Sequence, residues 1–180
     1  MTYYKDLSKR CMAASGWHVR AIGWLDEAHR FRKGRTSEEF REKLRAFAEK
    51  ASISMDTLGW GYYFGLHTCE LCEEYESGLN FGVPAGRLLY VAPEMVSHYV
   101  DRHRYRPPKK FINAVLASPL PGSREYSAEV ARFRELQNET RRNEAEGGDS
   151  PSDGPSREKT STGTKPKGFW ERILRTVFRK

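Results

Sequence analysis

The sequence predicts an α+β fold: a small sheet with a zinc knuckle, hairpin and helix at its core in a treble-clef-like arrangement, flanking helices, a disordered C-terminal spacer and a terminal amphipathic helix. Three observations lead there. Cys69 and Cys72 stand at knuckle spacing, and His98 and His103 follow with 25 residues between the two pairs. Zinc favours thiolate and imidazole in a tetrahedral set, and each pair can supply two corners. Short aromatic and β-branched runs alternate with helix-period stretches before residue 137. Residues 143–168 are dense in Gly, Ser, Pro, Thr and charge and almost empty of apolar groups, so they cannot bury enough surface to offset their ordering entropy.

In chain order, His18 to Leu25 reads as a strand because it is rich in β-branched and aromatic residues. Thr36-Ser37-Glu38-Glu39 supplies a capping box, with the Thr36 hydroxyl and the Glu39 carboxylate on the orphan amides of a helix start. That helix should run to about Ala51, with Phe40, Leu44, Phe47, Ala48 and Ala51 on one apolar stripe. Trp60 to Gly65, aromatic and glycine-flanked, reads as a strand leading into the cysteine pair. Its glycine spacing is not the dinucleotide fingerprint. Phe81 to Gly86 carries turn chemistry and Arg87 to Ala92 is a strand candidate, so the two form a hairpin. Pro93 suits the first turn of a helix reaching about Arg102, with Glu94 at its positive end. Pro107-Pro108 ends that helix and opens another over Lys109 to Ala117, and a last one is expected over Ser127 to Glu139. The domain organisation expected is an N-terminal extension (1–17), an α+β zinc-binding domain (18–139), a disordered linker (140–167) and a basic amphipathic helix (168–180).

The net charge of +7 is unevenly placed: residues 165–180 carry +5, residues 137–164 carry −2, and residues 1–136 carry +4. Phosphate binding scales with clustered cations, so a mildly basic body makes nucleic acid the less favoured partner. There is no 18-residue apolar run and no charged-then-apolar leader, which points to the cytoplasm. Three cysteines cannot all pair, and two have metal spacing, so a metal is expected over a disulfide framework and Cys11 is a free thiol.

The candidate ligands are Cys69, Cys72, His98 and His103. On an ideal helix the five-residue step between the histidines turns by about 500°, leaving the rings about 140° apart, so the last helical turn must loosen near Tyr105 to Pro108 for both to meet one ion. His67, two residues before Cys69, is an alternative ligand or a neighbour that orients one. Four protein ligands would make the site structural. Three and a water would invite hydrolysis with Glu70, Glu73 or Glu94 as base. No H-E-x-x-H, G-x-S-x-G or Walker motif occurs, which favours a binding role over catalysis, with a zinc-dependent hydrolase and a nucleic-acid-binding zinc finger as the alternatives.

Gly23-Trp24-Leu25, Gly65 to Cys72, Asn80 to Pro84, Tyr90 to Glu94, His98-Tyr99 with His103, and Tyr105-Arg106-Pro107-Pro108 to Phe111 together resemble an uncharacterised bacterial family of small Cys/His-containing proteins. The resemblance spans about residues 19–126. It implies shared Cys/His positions and no established activity.

At the C-terminus, Phe169, Trp170, Ile173, Leu174, Val177 and Phe178 fall at i, i+1, i+4, i+5, i+8 and i+9, one helical face, with Arg172 and Arg175 among the basic residues opposite. Such a helix suits an anionic membrane surface or a protein partner. The expectation is thus a zinc-stabilised intracellular interaction module, cytoplasmic with a peripheral association at the inner face of the membrane.

Overall fold

Two adjacent strands set the frame. β4 (Asn80–Ala85) and β5 (Leu88–Pro93) form an antiparallel hairpin with Val83 opposite Tyr90, and β1 (Val19–Ala21) lies parallel to β5 with Arg20 opposite Tyr90. The computed structural model describes residues 2–62 and 65–146. The sheet order is β1-β5-β4. Gly86, with φ of 56°, makes the hairpin turn that Cβ-bearing residues disfavour. A separate two-stranded ribbon, β2 (His67–Thr68) with β3 (Glu76–Ser77), brackets the cysteine pair.

There are five helices among the described residues, α1 (Glu38–Glu49), α2 (Ala51–Leu58), α3 (Val96–Arg102), α4 (Lys109–Ala117) and α5 (Arg124–Glu146); α1, α2, α4 and α5 pack on β4, and α3 packs on α1. α1 buries Phe40, Leu44, Phe47 and Ala48, the stripe expected from its period. Its cap is Ser37, whose hydroxyl accepts from the Phe40 amide at 3.3 Å, and not Thr36. The expected continuation to Ala51 breaks at Lys50 (φ −103°, ψ 20°), and a second helix, α2, follows with Ala51, Met55 and Leu58 buried at i, i+4 and i+7. α2 packs on β4 and on α5. α4 has the bounds expected of it, and α5 is longer at both ends, running through Glu146 into the span expected to be linker.

Other expectations fail for identifiable reasons. Trp60 to Tyr62 is not a strand: Trp60 is buried, its amide donates to the Met55 carbonyl at 2.9 Å, and its indole N–H donates to Gln137 Oε1 on α5 at 2.6 Å. Pro93 ends β5 instead of opening α3, which begins at Val96. The strand expected over His18 to Leu25 shrinks to three residues because Gly23 takes φ of 71° and turns the chain. A Cβ at Gly23 would fall 2.4 Å from Val96 Cγ2, so the absence of a side chain there lets the turn after β1 and the start of α3 touch. Residues 1–17 do not stand apart: the Leu7 amide donates to the Ala21 carbonyl at 2.7 Å, the Ala21 amide to the Ser8 carbonyl at 2.8 Å, and Cys11, Ala13 and Ala14 are buried.

Cys11 is an unpaired buried thiol. Among the described residues no helix is long and apolar enough to cross a membrane. Tyr63 and Phe64, the rest of the expected spacer and the whole of the expected terminal helix, with Phe169, Trp170, Arg172, Ile173, Leu174, Arg175, Val177 and Phe178, lie outside the described residues.

Candidate metal centre

The cysteine half of the site is a tight turn held at its base by the β2–β3 ribbon. His67 stands opposite Ser77 and Thr68 opposite Glu76, and between them the Cys69 amide donates to the Tyr75 carbonyl at 2.8 Å. The Cys69 carbonyl accepts from the amides of Cys72 (3.4 Å) and Glu73 (2.7 Å), and Glu73 takes φ of 57° to close the turn. This folding brings the backbone amides of Leu71 and Cys72 onto the Cys69 sulfur. N–H dipoles aimed at a sulfur favour its thiolate, the form that binds metals.

The histidine half comes from α3. His98 lies in its first turn, whereas His103 is the residue that ends it, with φ of −104° and ψ of 4° and its amide still on the Tyr99 carbonyl at 3.1 Å. Arg104 then adopts φ of 56°, and the Tyr105 amide returns to the same Tyr99 carbonyl at 3.0 Å. This is the loosened last turn that the five-residue step requires. With it, the two Nε2 atoms approach to 3.2 Å.

All four donors converge. Cys69 Sγ lies 3.4 Å from His103 Nε2, Cys72 Sγ lies 3.3 Å from His98 Nε2, and the four ligand atoms are all within 4.8 Å of one another. A tetrahedron with metal–sulfur bonds of about 2.3 Å and metal–nitrogen bonds of about 2.05 Å has S···N edges of about 3.6 Å and an N···N edge of about 3.3 Å. These three edges match to within about 0.3 Å and the other three are no longer than 4.8 Å, an arrangement compatible with one metal ion of that size. Cys69, Cys72, His98 and His103 could hold a metal ion.

The electrostatics suit the same task. Burial, then the neighbouring His103, then Arg102 push His98 below the ordinary histidine range. Burial, Lys33 and Arg102 do the same to His103. Both shifts favour the neutral imidazole, the form with a lone pair to offer. Burial raises the Cys69 thiol against the pull of the Leu71 amide, and a bound divalent cation reverses that cost by deprotonating the sulfur it coordinates. Tyr75 stacks face to face on His98 with centroids 4.8 Å apart and planes 13° apart, fixing the ring's orientation. Tyr99 packs beside both imidazoles, and its hydroxyl donates to the Leu25 carbonyl at 3.4 Å.

His67 sits on β2, half-buried, outside the four-residue cluster. Glu94, a base candidate for an open site, instead accepts from the Ser77 hydroxyl at 2.6 Å at the foot of the ribbon, while Glu70 and Glu73 are exposed. Sequence reading missed Tyr75, whose stacking partner is 23 residues away, and the open cleft beside His103, whose walls include Arg30, Phe31, Lys33 and Leu71 and whose volume is about 510 Å³.

Residues 2–116, which contain all four candidate ligands, match a family described as Domain of unknown function (DUF7919). The chain belongs to this family. The match begins ahead of the residue 19 expected from the resemblance and ends near the close of α4, so the N-terminal segment, the sheet and the four candidate ligands all lie within the matched span. No curated protein and no solved structure matches the chain.

Proposed function

We propose that the chain is a zinc-stabilised interaction module, with the zinc holding the cysteine ribbon against the end of α3 and a basic C-terminal helix contacting an anionic membrane surface or a protein partner. The observation that carries the metal part is the near-tetrahedral approach of two sulfurs and two imidazole nitrogens. The two sulfurs and two nitrogens are the donor set of structural zinc sites, and four protein ligands leave no coordination position for water. That supports a structural over a hydrolytic role. The zinc would supply folding energy, and the residues around it keep the donors neutral or deprotonated and correctly turned. Reduced thiols of this kind suit the cytoplasm.

The tail part rests on the sequence spacing of Phe169, Trp170, Ile173, Leu174, Val177 and Phe178, which would share one face of a helix, and on the basic residues interleaved with them. Metal analysis of purified full-length protein tests the first part. About one zinc per chain is expected, lost in Cys72→Ser, and a chain purified without metal and unable to take up zinc or cobalt refutes it. Deleting residues 168–180 tests the second. The truncated chain should lose retention on phosphatidylserine vesicles, and equal retention refutes the membrane contact.

A further inference from the structure

Two runs without a carboxylate, residues 30–35 and 102–110, hold nine lysines and arginines in fifteen positions. The remaining residues before 137 carry twelve cations against seventeen carboxylates, so the positive excess of this part of the chain resides in those two runs. The fold joins them. The Gly34 amide donates to the Arg104 carbonyl at 2.9 Å and the Arg106 amide to the Arg32 carbonyl at 2.8 Å, an antiparallel bridge with Lys33 opposite Tyr105.

In that register Arg32 stands directly opposite Arg106, and like charges so placed weaken a strand pair. A polyanion laid across them would turn the repulsion into attraction. Arg106 is guided into place: a Cβ on residue 34 would fall 2.7 Å from Arg106 Cδ, so the side chain lies across Gly34. Arg30, Arg32, Lys33, Arg35, Arg104 and Arg106 are all exposed, and none forms an ion pair with a described residue. Nearby carboxylates are few and largely engaged. Glu74 pairs with Arg102 at 3.1 Å, Asp101 with Arg45 at 3.0 Å and Asp26 with His29 at 2.8 Å, while Glu27 shares the cleft beside Arg30 and Lys33. Lys109 and Lys110 add charge in the first turn of α4, where the helix dipole is itself positive and no acidic residue offsets it.

We propose that this face binds the phosphate backbone of a nucleic acid, recognising charge rather than base sequence. Six of the nine cations are arginines, whose planar fork pairs with phosphate oxygens two at a time. The exposed large apolar side chains among the described residues, Leu7, Trp17, Ile53, Tyr62 and Leu66, all lie outside the two runs. Within the runs the aromatic side chains are Tyr105, which is buried, and Phe31, which is half-buried edge-on to Tyr105 with the Lys33 ammonium over its ring, so the face offers little of the apolar insertion that bilayer binding combines with charge or of the aromatic centre that protein interfaces favour. The proposal rests on the reading of the domain as an interaction module but not on which metal it holds.

The test uses the full-length, metal-loaded chain and a fluorescein-labelled 20-nucleotide oligomer of mixed sequence, single-stranded and duplex, with anisotropy followed between 50 and 200 mM salt. The variant Arg32→Gln/Arg35→Gln/Arg106→Gln/Lys110→Gln should bind about 100-fold more weakly at 100 mM salt. Its slope of log K against log salt should be shallower by about 3, since each phosphate contact contributes about 0.7 to 0.9. The same positions exchanged to Lys, with Lys110 kept, should restore most of the affinity, which a purely folding defect would not allow. Arg172→Gln/Arg175→Gln reports the tail's own share. The proposal is overturned if the four-site Gln variant binds as the natural chain does, if only the tail variant loses affinity, or if the Gln variant loses phosphatidylserine vesicles while keeping the oligomers. Metal content is measured on every sample, so loss of zinc in Cys72→Ser is scored separately from loss of oligomer binding.

Discussion

Stripping the metal from loaded protein should loosen the cysteine ribbon first and lower the stability of the whole domain second. The ribbon has little of its own to stand on: its ladder is two residue pairs, and in the turn only Cys69 is fully buried, with Leu71, Cys72 and Tyr75 half-covered. The β4–β5 hairpin, by contrast, has six residue pairs and a buried interior. Structural zinc sites have apparent binding free energies of about 10 to 16 kcal/mol, or dissociation constants from about 50 nM to about 2 pM. At about 10 μM free zinc the folded state gains RT ln(1 + [L]/Kd), about 3 to 9 kcal/mol. For a domain of about 145 residues each kcal/mol moves the melting temperature by about 3 °C, so chelation should lower it by about 10 to 30 °C. Hydrogen exchange locates the change. The Cys69 and Glu73 amides, bonded across the turn, should exchange at least about 100-fold faster in the stripped protein, whereas those of Ile22 and Leu89, bonded between β5 and the β1 region, should keep the greater protection of the two sets. A melting temperature indifferent to chelator, or an equal loss of protection in turn and sheet, refutes this reasoning.

Two further outcomes follow from the core. Tyr126 donates to the Gly82 carbonyl at 2.8 Å and meets Ser54 Oγ at 2.6 Å, and Ser54 accepts from the Gly82 amide at 2.9 Å, so two side chains satisfy both backbone groups of Gly82 on β4. Tyr126→Phe should cost about 1 to 3 kcal/mol by leaving the buried carbonyl unpaired, and Ser54→Ala with Tyr126→Phe should cost less than their sum; strict additivity in urea unfolding would deny the shared network. His18 is 1% exposed, stacks 6.0 Å from Phe133, and has neither ring nitrogen bonded. Burial, then the charge of Arg20, holds it below the ordinary histidine range. The unfolded chain therefore takes up a proton that the folded chain refuses, so the contribution is intact above about pH 6.5 and is lost below it with a slope of at most about 1.4 kcal/mol per pH unit. The urea midpoint should fall more between pH 7.5 and 5 for the natural chain than for His18→Leu, and parallel curves would exclude the effect.

The candidate ligands were legible because their chemistry is carried by residue type and short spacing: two thiols with two residues between them and two imidazoles near a helix end flagged by Pro107-Pro108. α1 and α4 were legible for a similar reason, since their apolar stripes repeat at the helical period. α2 left a readable trace in Ala51, Met55 and Leu58, hidden by its abutment to α1 through Lys50. What escaped was decided by partners far along the chain. Trp60 belongs to an aromatic run that reads as a strand, but its indole is claimed by Gln137, 77 residues away. The cationic face was invisible to charge summed by segment, because Arg32 and Arg106 become neighbours only through a backbone bridge across 74 residues. That bridge is also where the two proposals meet. His103 ends α3 with Arg104 in the left-handed region immediately after it and Tyr105 opposite Lys33, so an ion that fixed the His103 ring would also restrain the bridged segment that carries Arg104 and Arg106. Metal removal should therefore weaken oligomer binding even though none of the four candidate ligands is needed to touch a phosphate.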